Sequence, residues 1–316
     1  MGNGNVEMRD LSRLLENMAV RDRMTASMRE WFRSRGYIEV TTPVRIAAPA
    51  PEPHIDCPRC GGKWLRASPE LQMKRLVAAG AARIFQIGPC FREGEAGRLH
   101  AEEFTMLEWY RRGATAMEIL AETRELLVCA GDGATGATLL RHRGVECDLS
   151  SDWRVIPLRD AYLELAGWDP VAAFDQDRFD EDMALKVEPG LPREVPCVLY
   201  GYPRQAASLA KLSPGEPAVA ERWELYLCGV EVANAFGELR DGAEQRSRFE
   251  EARRERAAIG EDDYPLDEGF LRSLERGDFP ECGGIAVGVD RLAMLVCGAD
   301  SIAEVAMLDG GRGCDS

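Results

Sequence analysis

The run Glu103-Phe104-Thr105-Met106-Leu107-Glu108-Trp109-Tyr110-Arg111-Arg112 leaves the chain few choices. It reads as a strand, and residues 83–92 read as another. The loop 93–102 between them is rich in Gly and charge, so the two runs form a hairpin with a long loop. Side chains alternate along a strand, which puts Phe104, Met106, Glu108 and Tyr110 on one face. A carboxylate then lies between aromatic neighbours. Buried without a cation, it is destabilising or stays protonated. A pocket for an ammonium group resolves the conflict, and an exposed sheet face is the alternative.

The flanking segments extend this hairpin into a sheet with helices. Leu11, Leu14, Leu15, Met18, Met24, Met28, Trp31 and Phe32 recur near helical spacing over residues 10–35, with an expected break near Ala19 and an end at Gly36. Residues 37–43 read as a short strand stopped by Pro43, and 47–58 as an irregular proline-rich loop. Ser68-Pro69-Glu70 starts a helix running to Gly80, with Ser at the N-cap and Pro at the first helical position. Thr115 and Glu118 form a capping-box pattern for a helix ending near Gly131. Residues 131–195 carry mixed signals and read as a peripheral insertion. Beyond them, 196–202, 206–212, 220–227 and 230–239 read as strands, with a Cys228-Gly229 turn before the last. Asp241 with Glu244 starts a helix reaching Gly260, and residues 283–295 read as a buried strand passing into a helix. Several adjacent strands imply an antiparallel sheet and an α+β fold, in a chain long enough for one large domain or about two medium ones.

Composition narrows the partners. With 39 Lys and Arg against 54 Asp and Glu, the net charge of −15 disfavours a general nucleic-acid binder, which needs a basic surface to neutralise phosphates. No apolar run approaches the ~20 residues needed to cross a bilayer, and the charged start lacks the apolar stretch of a signal peptide. A cytoplasmic protein is expected, with most of its 10 cysteines reduced. Cys57 and Cys60 resemble half of a zinc ribbon, with His54 as a third ligand, but no second Cys pair follows. Two free thiols on a hairpin is the favoured reading.

Two more constellations carry chemistry. Glu231-Val232-Ala233-Asn234-Ala235-Phe236-Gly237-Glu238 follows Glu224 on the preceding strand, and such carboxylates can hold Mg²⁺ or simply charge a strand edge. Parity puts Asn234 and Glu238 on one face and Glu231 on the other unless a bulge intervenes. Arg92 closes one strand and Arg291 follows the Gly288-Val289-Asp290 turn, and arginines suit bidentate phosphate binding.

Taken in order, these segments resemble the three motifs of class II aminoacyl-tRNA synthetases. Residues 36–43 resemble motif 1, Phe91-Arg92 with residues 103–108 motif 2, and residues 288–292 motif 3. The resemblance covers nearly the whole chain and is nearest the short lysyl-type branch, which lacks the N-terminal OB-fold anticodon domain. It implies that Arg92 grips the α-phosphate and substrate carboxylate, that His100 and Phe104 hold ATP, and that Arg291 binds the γ-phosphate. It further implies Mg²⁺ at Glu224 and Glu231. For the amino acid it implies Glu70 at the backbone amine, Asn234 at the carboxylate, and Glu108, Tyr110 and Glu238 at the side-chain ammonium, with Ser68 a further substrate-binding residue. The expected substrate is lysine or (R)-β-lysine, and the expected acceptor is elongation factor P instead of tRNA, with the protein a homodimer. A non-catalytic regulatory subunit and a lysine-activating enzyme with another acceptor are the alternatives. Gly94 stands where the branch has a carboxylate that contacts adenine, so Glu93 or Glu95 is expected to replace it. Arg246, Arg248, Arg253, Arg254 and Arg256 form a candidate acceptor surface, unless they are simply paired with acids along a solvated helix.

Overall fold

The computed structural model describes residues 3–307 of the chain; Cys314 lies outside them. Helix α1 (Asn3–Ser34) runs unbroken past Ala19. Residues 5–34 contain neither Gly nor Pro, and Met24, Met28, Trp31 and Phe32 are buried at helical spacing, so nothing interrupts the hydrogen-bond ladder. Gly36, at φ 76°, turns the chain into β1 (Ile38–Glu39). Phe32 stacks on Phe85 with ring centroids 4.4 Å apart and meets Trp109 edge-on at 5.3 Å, which fixes α1 against the sheet.

The hairpin is present as β2 (Arg83–Phe91) and β3 (Glu103–Arg112). Four further strands follow, β4 (Arg154–Pro157), β5 (Cys197–Pro203), β6 (Glu216–Leu227) and β7 (Val230–Gly237), and the last is β8 (Cys282–Gly288). The sheet order is β1-β2-β3-β8-β7-β6-β5-β4. Its centre is antiparallel, while β1 against β2 and β4 against β5 are parallel edge pairs. Cys228 and Gly229, at φ 51° and 77°, close the tight turn between β6 and β7.

Two expectations fail for identifiable reasons. Residues 206–211 form no strand beyond a single bridge between Ala210 and Glu238, and Leu212–Ser213 joins β6. The carbonyls of Ala206, Ser208 and Ala210 accept from Arg222 and Arg248 instead of from a neighbouring strand. Helix α3 (Ala116–Thr135; α2 is Glu70–Ala78) passes through Gly131 and ends at Gly136 in the left-handed conformation. Gly133 belongs inside it, because a Cβ there would lie 2.0 Å from Ser27 Oγ of α1. The capping box of Thr115 and Glu118 has both of its bonds.

Three more helices flank the sheet, α4 (Gly242–Ile259), α5 (Glu268–Glu275) and α6 (Val289–Cys297), and helices at Leu158–Leu165 and Gln176–Asp182 lie within residues 131–195. One face of the sheet, carrying Leu107, Trp109, Trp223, Leu225, Ala235 and Val287, forms the main apolar core with α1, α3 and α6. On the opposite face α2, α4 and α5 bury a second cluster around Leu71, Phe249, Phe270 and Leu274. That packing covers one end of the face and leaves the rest as the floor of a cleft. No helix among the described residues is long and apolar enough to cross a membrane.

Candidate active site

The cleft encloses about 600 Å³ and is bordered by every side chain that the sequence nominated for ATP, Mg²⁺ and amino acid. Alternation along β3 aims Phe104, Met106, Glu108 and Tyr110 into it, while Leu107 and Trp109 enter the core behind. On β7 the parity conflict disappears through a bulge. Glu224 pairs with Asn234 and Leu225 with Ala233, but Tyr226 pairs with Glu231, leaving Val232 over. The extra residue turns Glu231 to the same side as Asn234 and Glu238.

One end of the cleft is dry and acidic. Glu108 and Glu238 are each 1% exposed. Ser68 Oγ donates to Glu108 Oε1 at 2.5 Å and Tyr110 OH to Glu108 Oε2 at 2.9 Å. Burial pushes the Glu108 carboxyl up to about 7, with the charge of Glu70 adding and the two hydroxyl bonds opposing. Glu238 is pushed up to about 8 by burial, against the pull of Lys74. Lys74 Nζ lies 2.5 Å from both Glu70 Oε1 and Glu238 Oε2, yet neither Glu238 oxygen completes a well-aligned hydrogen bond. Asn234 Oδ1 is likewise buried without a partner. Unused acceptors beside carboxylates are what an ammonium group would satisfy. Ser68 departs from its expected N-cap place by one residue: Pro69 holds that position, and Ser68 Oγ accepts from the Glu70 N–H at 2.9 Å.

The other end is wetter and basic. Arg92 sits with its guanidinium 5.3 Å from the Phe104 ring centroid and has only a long contact, 3.5 Å, to Glu95. Arg291 donates to Leu99 O at 3.1 Å and Glu231 O at 2.8 Å, and its Nη2 meets His100 Nε2 at 2.6 Å. Burial and the Arg291 charge lower the His100 pKa, which favours a neutral imidazole accepting the hydrogen bond from Arg291. Glu224 accepts from Tyr202 at 2.6 Å, Tyr226 at 2.9 Å and Arg222 at 2.6 Å, which fixes its carboxylate. Burial, then the charge of Glu224, raises Glu231. Two hard carboxylates on adjacent strands, the charge of one raising the other, suit a divalent cation such as Mg²⁺. Among the described residues no group of three or more His, Cys, Asp or Glu is arranged to hold a metal, so phosphate oxygens and water would complete the shell. Glu95 borders the cleft near Gly94 and Glu93 does not.

Several cleft residues escaped the sequence reading. Lys74 is a Glu70 (i, i+4) partner, a pattern that ordinarily marks a solvated pair. Glu52 stands in the proline-rich loop, where periodicity says nothing. Arg222 shares a strand face with Glu224, and parity could have found it.

The arginine-rich helix α4 offers no free basic surface of the kind expected. Arg246 pairs with Glu268 and Glu275, Arg248 with Glu244, and Arg253 with Asp263, while Arg256 is buried and bonds Asp56 and three carbonyls. Acids on neighbouring segments take up these charges, and Arg254 alone of the five is exposed without such an ion pair. Cys57 and Cys60 lie on a small hairpin, and burial pushes the Cys57 thiol up to about 11.

Residues 5–309 match the family described as tRNA synthetases class II (D, K and N). The chain is also 39% identical over 314 residues, covering 92% of this chain and 94% of the relative, to the elongation factor P (R)-β-lysine ligase of Proteus mirabilis (strain HI4320).

Proposed function

Since the chain belongs to the class II tRNA synthetases of the D, K and N group, we propose that its cleft uses ATP to activate (R)-β-lysine or lysine and transfers the acyl group to a lysine side chain of elongation factor P. The observation that carries the reading is the pairing of a dry acidic end with a basic end in one cleft. Glu108, Tyr110 and Glu238 receive the side-chain ammonium, Glu70 with Ser68 receives the other amine, and Asn234 with Arg92 orients the carboxylate. That carboxylate attacks the α-phosphorus; an acyl–phosphate bond forms and pyrophosphate leaves. Arg92 holds charge developing on the α-phosphate, His100 and Phe104 seat the nucleotide, and Arg291 neutralises the γ-phosphate. Glu224 and Glu231 would hold Mg²⁺, which supplies charge neutralisation on the phosphates. In the second half-reaction the acceptor amine attacks the acyl carbon, and AMP departs with the bonding pair.

The acceptor is elongation factor P and not tRNA; the relative's name and the charge of −15 support this choice. The protein works as a cytoplasmic homodimer and a single catalytic domain. Exposed apolar side chains along α1 and β1, Leu11 and Leu15 with Ile38, support a dimer face there, and nine free thiols among the described residues support a reducing compartment. The test is incubation with ATP, (R)-β-lysine or lysine, and each acceptor in turn. Intact-mass analysis should find elongation factor P heavier by one acyl group, and acid gels should find tRNA(Lys) uncharged. Efficient tRNA charging with an unmodified factor would contradict the reading.

A further inference from the structure

The acidic wall of the cleft is already backed by an ammonium group. Lys74, one helical turn beyond Glu70 on α2, is 1% exposed and touches carboxylates on two different elements, Glu70 and Glu238. Burial works against its charge, but Glu238 and Glu70 outweigh that effect and keep it protonated. Neither half-reaction has a step that uses this lysine. Its presence is therefore a question about charge and spacing.

Three carboxylates, Glu70, Glu108 and Glu238, converge where water is excluded, and uncompensated charge in such a place is strongly unfavourable. One resident ammonium leaves two negative charges. An amino acid with two ammonium groups, one on its backbone and one on its side chain, supplies two positive charges. At Glu52, the remaining carboxylate on this wall, burial and then the charge of Glu70 favour the neutral form, with Arg92, Arg222 and Lys74 opposing. Tyr110 adds a neutral hydroxyl bonded to Glu108. Lys74 also occupies one oxygen of each partner, Glu70 Oε1 and Glu238 Oε2. Glu238 Oε1 is buried without a hydrogen-bond partner. The lysine thus stands between the two carboxylates that the proposed reading assigns to the two ammonium groups.

We infer that Lys74 is a specificity-determining positioning residue, a resident counter-ion and spacer between Glu70 and Glu238 that matches the cleft to an amino acid carrying two ammonium groups. The inference rests on the proposed reading of the cleft as an amino-acid site. It differs from a stabilising salt bridge in what it predicts for substrate.

The test measures ATP–pyrophosphate exchange with lysine and (R)-β-lysine in the full-length enzyme. Lys74→Met should raise the amino-acid KM about tenfold or more while the ATP KM stays within about twofold. Lys74→Arg, which keeps the charge, should lie nearer the wild type. Lys74→Ala should regain amino-acid affinity with added ethylammonium and not with propanol. A salt bridge serving stability alone would lower the Tm, show no dependence on the added amine, and leave the two KM values unchanged or shifted together; any of these substrate results in a folded variant overturns the inference. Should the uncharged variants fail to fold, competition in the wild type carries the test. A diammonium alkane of five carbons should inhibit about tenfold better than a monoammonium alkane of equal length, and equal inhibition would contradict the charge match. If the wild type exchanges with neither diamino acid, the proposed function has failed and this inference falls with it. Exchange by the wild type together with an unaffected Lys74→Met defeats the inference alone.

Discussion

The two ends of the cleft solve opposite electrostatic problems with opposite means. At the acidic end Glu108, Glu238 and Lys74 sit on strands and a helix, are almost wholly buried, and lean on one another. At the basic end Arg92, His100 and Arg291 border the long loop between β2 and β3 and remain partly open to solvent. A small diamino acid offers little surface to recognise, so discrimination must come from charge placement in a dry, rigid site. A triphosphate carries charge enough to be held by arginines in water. The difference separates what should fail when each end is altered.

Arg92→Ala should have the largest effect. Its guanidinium makes no short bond to the protein, so exchange activity should fall by about 10²–10³ while the Tm barely moves; pyrophosphate exchange beside thermal melting measures both. Arg291→Ala sharpens the contrast. It should lose comparable activity and also stability, because Arg291 ties Leu99 and Glu231 together.

Glu238→Gln should come next, raising the amino-acid KM by about 30-fold or more, the range for removing one partner of a buried charge pair. ATP KM should hold. If ATP affinity fell instead, the assignment of the two ends would be reversed.

Titration should follow. Since Glu108 and Glu238 are pushed up to about 7 and about 8, both carry protons in the acid range and must lose them to receive an ammonium. Amino-acid affinity should therefore rise between pH 6 and 8, by up to about tenfold per unit, with ATP affinity changing less. Calorimetric binding at three pH values measures this, and a fall in amino-acid affinity over that range would contradict it.

The smallest functional effect belongs to a site outside both ends. Gly133→Ala should destabilise the protein by about 1–3 kcal/mol through overpacking against Ser27, seen as a lower denaturation midpoint, with both KM values intact.

These contrasts follow how legible the molecule was in its sequence. Local signals were readable wherever one residue decides the geometry: the Thr115 capping box, the Asp241 cap and Gly260 end of α4, the Cys228-Gly229 turn, and strand parity on β3. Parity set Glu231 on the opposite face unless a bulge intervened, and the bulge lies at Val232. Long-range satisfaction was invisible. No local pattern says that Lys74 reaches Glu238, that the carbonyls of Ala206, Ser208 and Ala210 go to arginines on β6 and α4, or that Arg246 and Arg253 of α4 meet acids on other segments. Gly131 misled because an isolated glycine can mark a helix end or permit close packing, and here α3 continues past it to Gly136.

The most direct test of the central claim is pyrophosphate exchange with (R)-β-lysine, lysine and 2-aminohexanoic acid, the last being lysine without its side-chain ammonium. The account predicts robust exchange with at least one diamino acid and almost none with the uncharged analogue. Comparable exchange with 2-aminohexanoic acid, or none with either diamino acid, would contradict it.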